Sequence, residues 1–169
     1  LARAVATPLR ALHVRSDVER KRLAGLGPLD DSRSPPDGGI YSREFTERTY
    51  GRLQDCATSA LLGGESMIVD AAFLKRDERR DMLSLAQRMA VPAAILHCVA
   101  PLAVLRERLE SRSRSGSDAS EAGVAILARQ PGYWEEFDDE ERTQVVAVDT
   151  TAPDAATGAL DALRALGVG

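Results

Sequence analysis

Three groups of residues in this 169-residue chain combine types and spacings that could do chemistry. The first is Ser16-Asp17-Val18-Glu19-Arg20, directly after a short apolar run ending at Arg15. A carboxylate just past a strand's C-terminal end faces the crevice where open α/β sheets bind ligands. Asp17 there could take the proton of an acceptor hydroxyl. Arg20, three residues on, shares a helical face with it and could hold an anionic acceptor. The competing reading is a helix cap supplied by Ser16 or Asp17. The second group is Asp70, at the end of Met67-Ile68-Val69. An apolar strand that delivers one Asp suits a Mg2+ partner, often through water. A turn-forming Asp at a strand end would look the same. The third is Arg106, Arg108, Arg112 and Arg114, ahead of a polar Ser/Gly stretch. Arg108 and Arg112 share a helical face. They suit a lid whose guanidinium groups neutralise transition-state charge and exclude water. A charged surface helix balanced by Glu107 and Glu110 is the alternative.

Phosphoryl transfer needs a phosphate cradle, Mg2+, charge neutralisation and an oriented acceptor hydroxyl. Candidates for the last three are present; no Gly-x-x-x-x-Gly-Lys-Ser/Thr occurs among the 169 residues. Arg76 and Arg79, shortly after Asp70, could reach an acceptor, whereas Arg80 reads as solvated. Arg43, Arg48 and Arg52 lie beside Glu44 and Glu47 and suit surface ion pairs; Arg48 is also an acceptor-site candidate. His13 and His97 fall within strand patterns and read as packed. Tyr133, Trp134 and Phe137 read as packing residues. No Ser-His-Asp order, zinc spacing or Gly-x-Gly-x-x-Gly appears.

The elements that must position these residues alternate. Leu1 to Ala6 reads as the tail of a helix. Strands are predicted at Ala11 to Arg15, Ser66 to Asp70, Ala93 to Val99 and Val145 to Val148. The Ser66 and Ala93 segments are continuous apolar runs of the buried type. Helices are predicted over Asp17 to Leu26, Ser42 to Leu62, Asp77 to Met89, Pro101 to Ser111, Glu121 to Gln130 and Pro153 to Leu166. Gly63-Gly64 ends the long one, and Pro101 takes its favoured first position. Gly27 to Gly39, rich in Pro, Asp and Ser, is a loop. Strands separated by helices imply a parallel sheet with right-handed crossovers.

The length suits one domain with one sizeable core. Hydrophobic residues at 44% and charged residues at 28% describe a soluble globular protein. No apolar stretch reaches membrane-span length. Cys56 and Cys98 lack metal-type spacing and read as reduced cysteines in a cytoplasmic protein. A net charge of -4 argues against a general nucleic-acid binder.

Several stretches together resemble the P-loop kinases of the AAA-33, gluconokinase-like and zeta-toxin-like groupings. They are Arg15 to Leu23, Tyr41-Ser42 with Thr49-Tyr50, Val69 to Leu74, and Cys98 to Pro101. Arg106 to Arg112, Ser117-Asp118-Ala119 and Gln130 complete the set. The resemblance implies a three-layer P-loop NTPase fold, nucleoside-monophosphate-kinase-like, whose central P-loop strand is expected upstream of Leu1. Without that strand these residues are expected neither to fold alone nor to bind ATP usefully. It also implies ATP and Mg2+ as cofactors, with Asp17 as base and Arg20 beside it, and Asp70 as Mg2+ partner. Arg108, Arg112 and Gln130 would lie on the ATP side, in a lid spanning residues 106–122; Arg48, Arg76 and Arg79 would lie on the acceptor side. The expected activity is phosphotransfer to a hydroxyl of a small molecule by a single domain over residues 1–169, with a fused upstream domain. Two alternatives stand beside it: a non-catalytic nucleotide-binding or regulatory module, and a polynucleotide 5'-hydroxyl kinase.

Overall fold

The computed structural model describes residues 1–115, 118–121 and 132–168. Its longest element shows how local sequence sets the frame. Ser42 starts it, accepting a hydrogen bond from the Phe45 N–H at 3.3 Å. Thr49, Leu53, Ala57 and Ala60 then fall on one buried face. Beyond Gly63 the chain turns through Gly64 at φ +78°, and the Glu65 N–H closes the end on the Ala60 carbonyl at 3.0 Å.

In chain order the elements are α1 (Ala2–Ala6), β1 (Leu12–Arg15), α2 (Ser16–Leu23), a 3-10 turn (Gly39–Tyr41), α3 (Arg43–Leu62), β2 (Met67–Asp70) and α4 (Arg76–Arg88). They continue as β3 (Ile95–Val99), α5 (Leu102–Ser115), α6 (Asp139–Arg142), β4 (Val145–Asp149) and α7 (Ala155–Ala165). The predicted strands and helices agree with this order. α5 runs past Ser111 because Ser and Arg break a helix far less than glycine does; Arg112 and Arg114 are therefore helical. The helix expected over Glu121 to Gln130 lies, except for its first residue, outside the described residues.

β1 pairs with β2 in parallel, Leu12 opposite Met67 and Arg15 opposite Asp70. β3 pairs with β4 in parallel, Ile95 opposite Val145 and Val99 opposite Asp149. The one continuous sheet expected from the strand pattern is thus two pairs. Among the described residues no hydrogen-bond ladder joins β2 to β3. This interruption falls in the middle, where the resemblance places the P-loop strand. Both pairs nonetheless share a core. Val5, Val148, Ala159, Leu160 and Leu163 form its buried centre, with Ile68 of β2 and Leu96 of β3 packed against it. Among the described residues no helix is long and apolar enough to cross a membrane.

Candidate active site

Arg15 is extended, at φ -117° and ψ 130°, and occupies the cap position of α2 without a side-chain cap hydrogen bond. Neither Ser16 nor Asp17 is the cap, so the capping alternative for Asp17 is not what the backbone adopts. Asp17 sits in the first turn of α2, half-buried, where the helix dipole favours a carboxylate. Its charge is felt by Arg15, Arg20 and Tyr41. Among the described residues its carboxylate makes no hydrogen bond. A half-buried carboxylate without a hydrogen-bond partner among the described residues could receive an acceptor hydroxyl.

Arg20 is buried, at 7% exposure. It donates to the Ile40 carbonyl at 2.6 Å and to the Thr46 hydroxyl at 3.1 Å, and lies over the Tyr41 ring at 5.2 Å. Burial pulls its pKa below the usual arginine value, against the charge of Asp17. Its guanidinium fastens the 3-10 turn to α2 and α3 and lends positive potential to Asp17.

The loop over residues 27–39 is tied down from far along the chain. Glu121 accepts from the Ser32 N–H at 2.9 Å, the Ser32 hydroxyl at 2.6 Å and the Tyr41 hydroxyl at 3.2 Å. Lys21, only 2% exposed, ion-pairs with the same carboxylate at 3.0 Å. Burial opposes ionisation of Glu121, but the hydrogen bonds from Ser32 and Lys21 outweigh it and hold the carboxyl below its usual range. Burial likewise pushes the Tyr41 hydroxyl upward, and Glu121 adds to the effect.

Asp70 ends β2 beside Arg15. His13 Nε2 lies 3.2 Å from Asp70 Oδ2 and Arg15 Nε 3.8 Å from it. The Arg15 Nη2 donates to Asp118 at 2.9 and 3.2 Å. The chain beyond Asp70 is pinned. Phe73 has φ +46°, its N–H donates to the Tyr50 hydroxyl at 3.1 Å, and the two rings meet edge to face at 5.4 Å. A non-glycine residue held there is strained and persists because its surroundings fix it.

Among the described residues no three His, Cys, Asp or Glu side chains converge to hold a metal. One carboxylate at a strand end fits a Mg2+ whose remaining ligands are phosphate oxygens and water. Asp70 is the residue that would meet it. No Gly-x-x-x-x-Gly-Lys-Ser/Thr phosphate-binding loop occurs among the 169 residues.

The remaining expected site residues are dispersed. Arg79 is buried, at 2% exposure, and engaged within the fold. Its Nε and Nη2 donate to Glu141 at 2.7 and 3.1 Å, its Nη1 to the Phe73 carbonyl at 3.1 Å, and it stacks on Trp134 and Phe137. Arg76 turns to the same segment, donating to the Glu136 carbonyl at 3.1 Å and lying 3.7 Å from Asp138. Arg48 is exposed and lies over the Phe45 ring at 4.9 Å. Arg108 donates to the Thr150 hydroxyl at 2.7 Å and its carbonyl at 2.8 Å, which ties α5 to the turn after β4. Arg112 is half-buried and its charge reaches Asp118. Gln130 lies outside the described residues. Asp118 and Glu121 fall within the lid expected over residues 106–122, but neither was singled out as a site residue; their partners are 103 and 89 residues away, beyond any local pattern. A groove of about 640 Å³ runs along β1, lined by His13, Arg15, Val18, Arg52 and Cys56 among others; Asp17 and Asp70 do not line it.

Parallel strands joined through helices, with one carboxylate opening α2 and another closing β2, fit a P-loop-kinase-type α/β domain. Residues 1–137 match AAA_33, an AAA domain, and the chain belongs to that family. It is 28% identical over 135 residues to the uncharacterized proteins Rv2004c of Mycobacterium tuberculosis and Mb2027c of Mycobacterium bovis. The match covers 80% of this chain but 27% of those relatives, so the chain spans about a quarter of their length. Among solved structures, a gluconokinase from Sinorhizobium meliloti 1021 superposes with a TM-score of 0.62 at 20% identity, covering 96% of this chain and 83% of that one. A tunicamycin resistance protein from Deinococcus radiodurans gives 0.52 at 15% identity, covering 98% and 90%. These two likenesses establish the fold.

Proposed function

We propose that this chain forms the acceptor and lid sides of an ATP-dependent phosphotransferase whose acceptor is a hydroxyl of a small molecule. The observation that carries the reading is Asp17: a carboxylate in the first turn of α2, at the C-terminal end of β1, without an internal hydrogen bond among the described residues. Asp17 takes the hydroxyl proton, and Arg20 supplies positive potential from behind. Asp70 meets Mg2+, which when bound to ATP neutralises charge on the transferring phosphoryl group. Arg112 and Arg108, on α5, face the nucleotide side. The reading requires a phosphate cradle, and no Gly-x-x-x-x-Gly-Lys-Ser/Thr lies among these 169 residues. Arg48, exposed on α3, remains available to an acceptor. The gluconokinase likeness favours a polyhydroxy acceptor over a 5'-hydroxyl of nucleic acid, and the net charge of -4 points the same way. Free Cys56 and Cys98 suit a cytoplasmic protein.

The test uses the full-length protein. Asp17→Asn should lower phosphotransfer by about 10²–10⁴-fold, the usual contribution of a general base. ATP binding, followed by calorimetry, should stay unchanged. Undiminished turnover would sink the assignment. Intact ATP binding with no turnover in the wild type on any hydroxylated acceptor would favour the non-catalytic nucleotide-binding module.

A further inference from the structure

Arg15 and Asp70 are register partners on adjacent parallel strands. Paired positions place their side chains on one face, with backbones about 4.8 Å apart. Arg15 therefore cannot leave the neighbourhood of Asp70. A guanidinium bound squarely to a carboxylate takes both its hydrogen-bonding oxygens and its charge, and a divalent cation needs that same charge. Two arrangements compete at this point of the fold, and the structure holds one of them.

The Arg15 guanidinium is drawn to Asp118, at 2.9 and 3.2 Å, while its contact with Asp70 is 3.8 Å, beyond hydrogen-bond distance. Asp118 is prepared for this: the Ser120 N–H donates to its Oδ1 at 2.8 Å, and the charge of Arg112 reaches it as well. Burial opposes ionisation of Asp118, but the bonds from Arg15 and Ser120 hold its carboxyl below the usual range. His13 contacts Asp70 at 3.2 Å in the arrangement the structure holds.

We infer that Asp118 is a positioning residue that holds the Arg15 guanidinium off Asp70 and so keeps Asp70 open to a divalent cation. The inference rests on the reading of Asp70 as the Mg2+ partner. Asp118 lies just past α5, so the segment that carries the lid arginines also sets the charge at the metal carboxylate. Loss of Asp118 lets Arg15 settle on Asp70 and compete with the cation. Loss of Arg15 removes the competitor.

The experiment titrates Mn2+ into the full-length protein with a non-hydrolysable ATP analogue and reads free Mn2+ by electron paramagnetic resonance. Asp118→Asn should weaken Mn2+ binding by about fivefold, the effect of one unit charge about 4 Å away in a solvent-rich site. Arg15→Gln should tighten it by a similar factor. In the Arg15→Gln background, Asp118→Asn should have no further effect. Asp118→Glu should restore most of the affinity. Asp70→Asn separates the two ideas: unchanged Mn2+ binding overturns the Asp70 reading and the inference with it. A loss with Asp70→Asn but none with Asp118→Asn overturns the role of Asp118 alone. Equal losses from Asp118→Asn with and without Arg15 also overturn it, because the effect would not pass through Arg15. If Asp118→Asn does not fold, Arg15→Gln decides: unchanged or weaker Mn2+ binding refutes the proposal.

Discussion

Arg20 and Arg79 are both nearly lost from solvent, at 7% and 2% exposure, yet they are buried on different terms. Arg79 faces a carboxylate, Glu141, through two hydrogen bonds, and two aromatic rings cover it. Arg20 faces a carbonyl and a hydroxyl, and among the described residues it has no carboxylate at ion-pair distance. Around Arg79 the charges cancel, and the region is a closed clasp between α4 and the segment leading to α6. Around Arg20 one positive charge stands uncancelled beside Asp17. A neutralised buried pair serves the fold; an unneutralised charge next to a half-buried carboxylate is poised to answer a ligand. On these grounds the α2 side suits the proposed chemistry and the α4 side holds the structure.

The contrast can be broken most strongly at the clasp. Arg79→Met should cost about 3–5 kcal/mol of unfolding free energy, because it strands a buried carboxylate; denaturant titration measures it. A loss below 1 kcal/mol would mean that the clasp is not structural. Arg20→Met should cost less, about 1.5–3 kcal/mol for hydrogen bonds to a charged donor, and should also raise the acceptor KM. If it alters stability alone, Arg20 belongs with Arg79 and the contrast disappears.

Acid sharpens the comparison further. The Arg79 hydrogen bonds hold the Glu141 carboxyl below its usual range. A depressed carboxylate contributes stability that is present above the ordinary glutamate value and is lost as pH falls through the lower folded one. Stability should therefore fall through that acid window in the wild type and fall less in Arg79→Met. Equal slopes in the two proteins would contradict the pairing. The smallest effect is expected at Arg43, which is 93% exposed and bonded to Glu47 at 2.9 Å. Arg43→Ala should change stability by less than about 0.5 kcal/mol.

The strands and the two principal carboxylates were legible because their signals are local. An apolar run closed by Asp70, and Asp17 directly after a second run, need only a few neighbouring residues to be read. Arg80 reads as solvated from sequence and is exposed, but the fates of Arg76 and Arg79 were not separable as charges, since the partner that buries Arg79 is 62 residues on. One signal was present. Arg79 lies three residues before Met82 and seven before Ala86, in phase with the inward face of α4, whereas Arg80 is out of phase and exposed. The hold of Glu121 on Ser32 and Tyr41 left no trace, because long-range polar partners follow no periodicity. The break between β2 and β3 was expected from resemblance rather than from the residues themselves.

The clasp also endows the protein with a spectroscopic reporter. Trp134 is the only tryptophan in the chain, with its ring 5.2 Å from and nearly parallel to His97 and the Arg79 guanidinium 5.1 Å from its centre. Burial, reinforced by Arg79, holds the His97 pKa below its usual value, so the quenching imidazolium forms only in acid. Intrinsic fluorescence therefore watches one wall of the molecule without a label: it will track opening of the clasp and stay dark to events at Asp17.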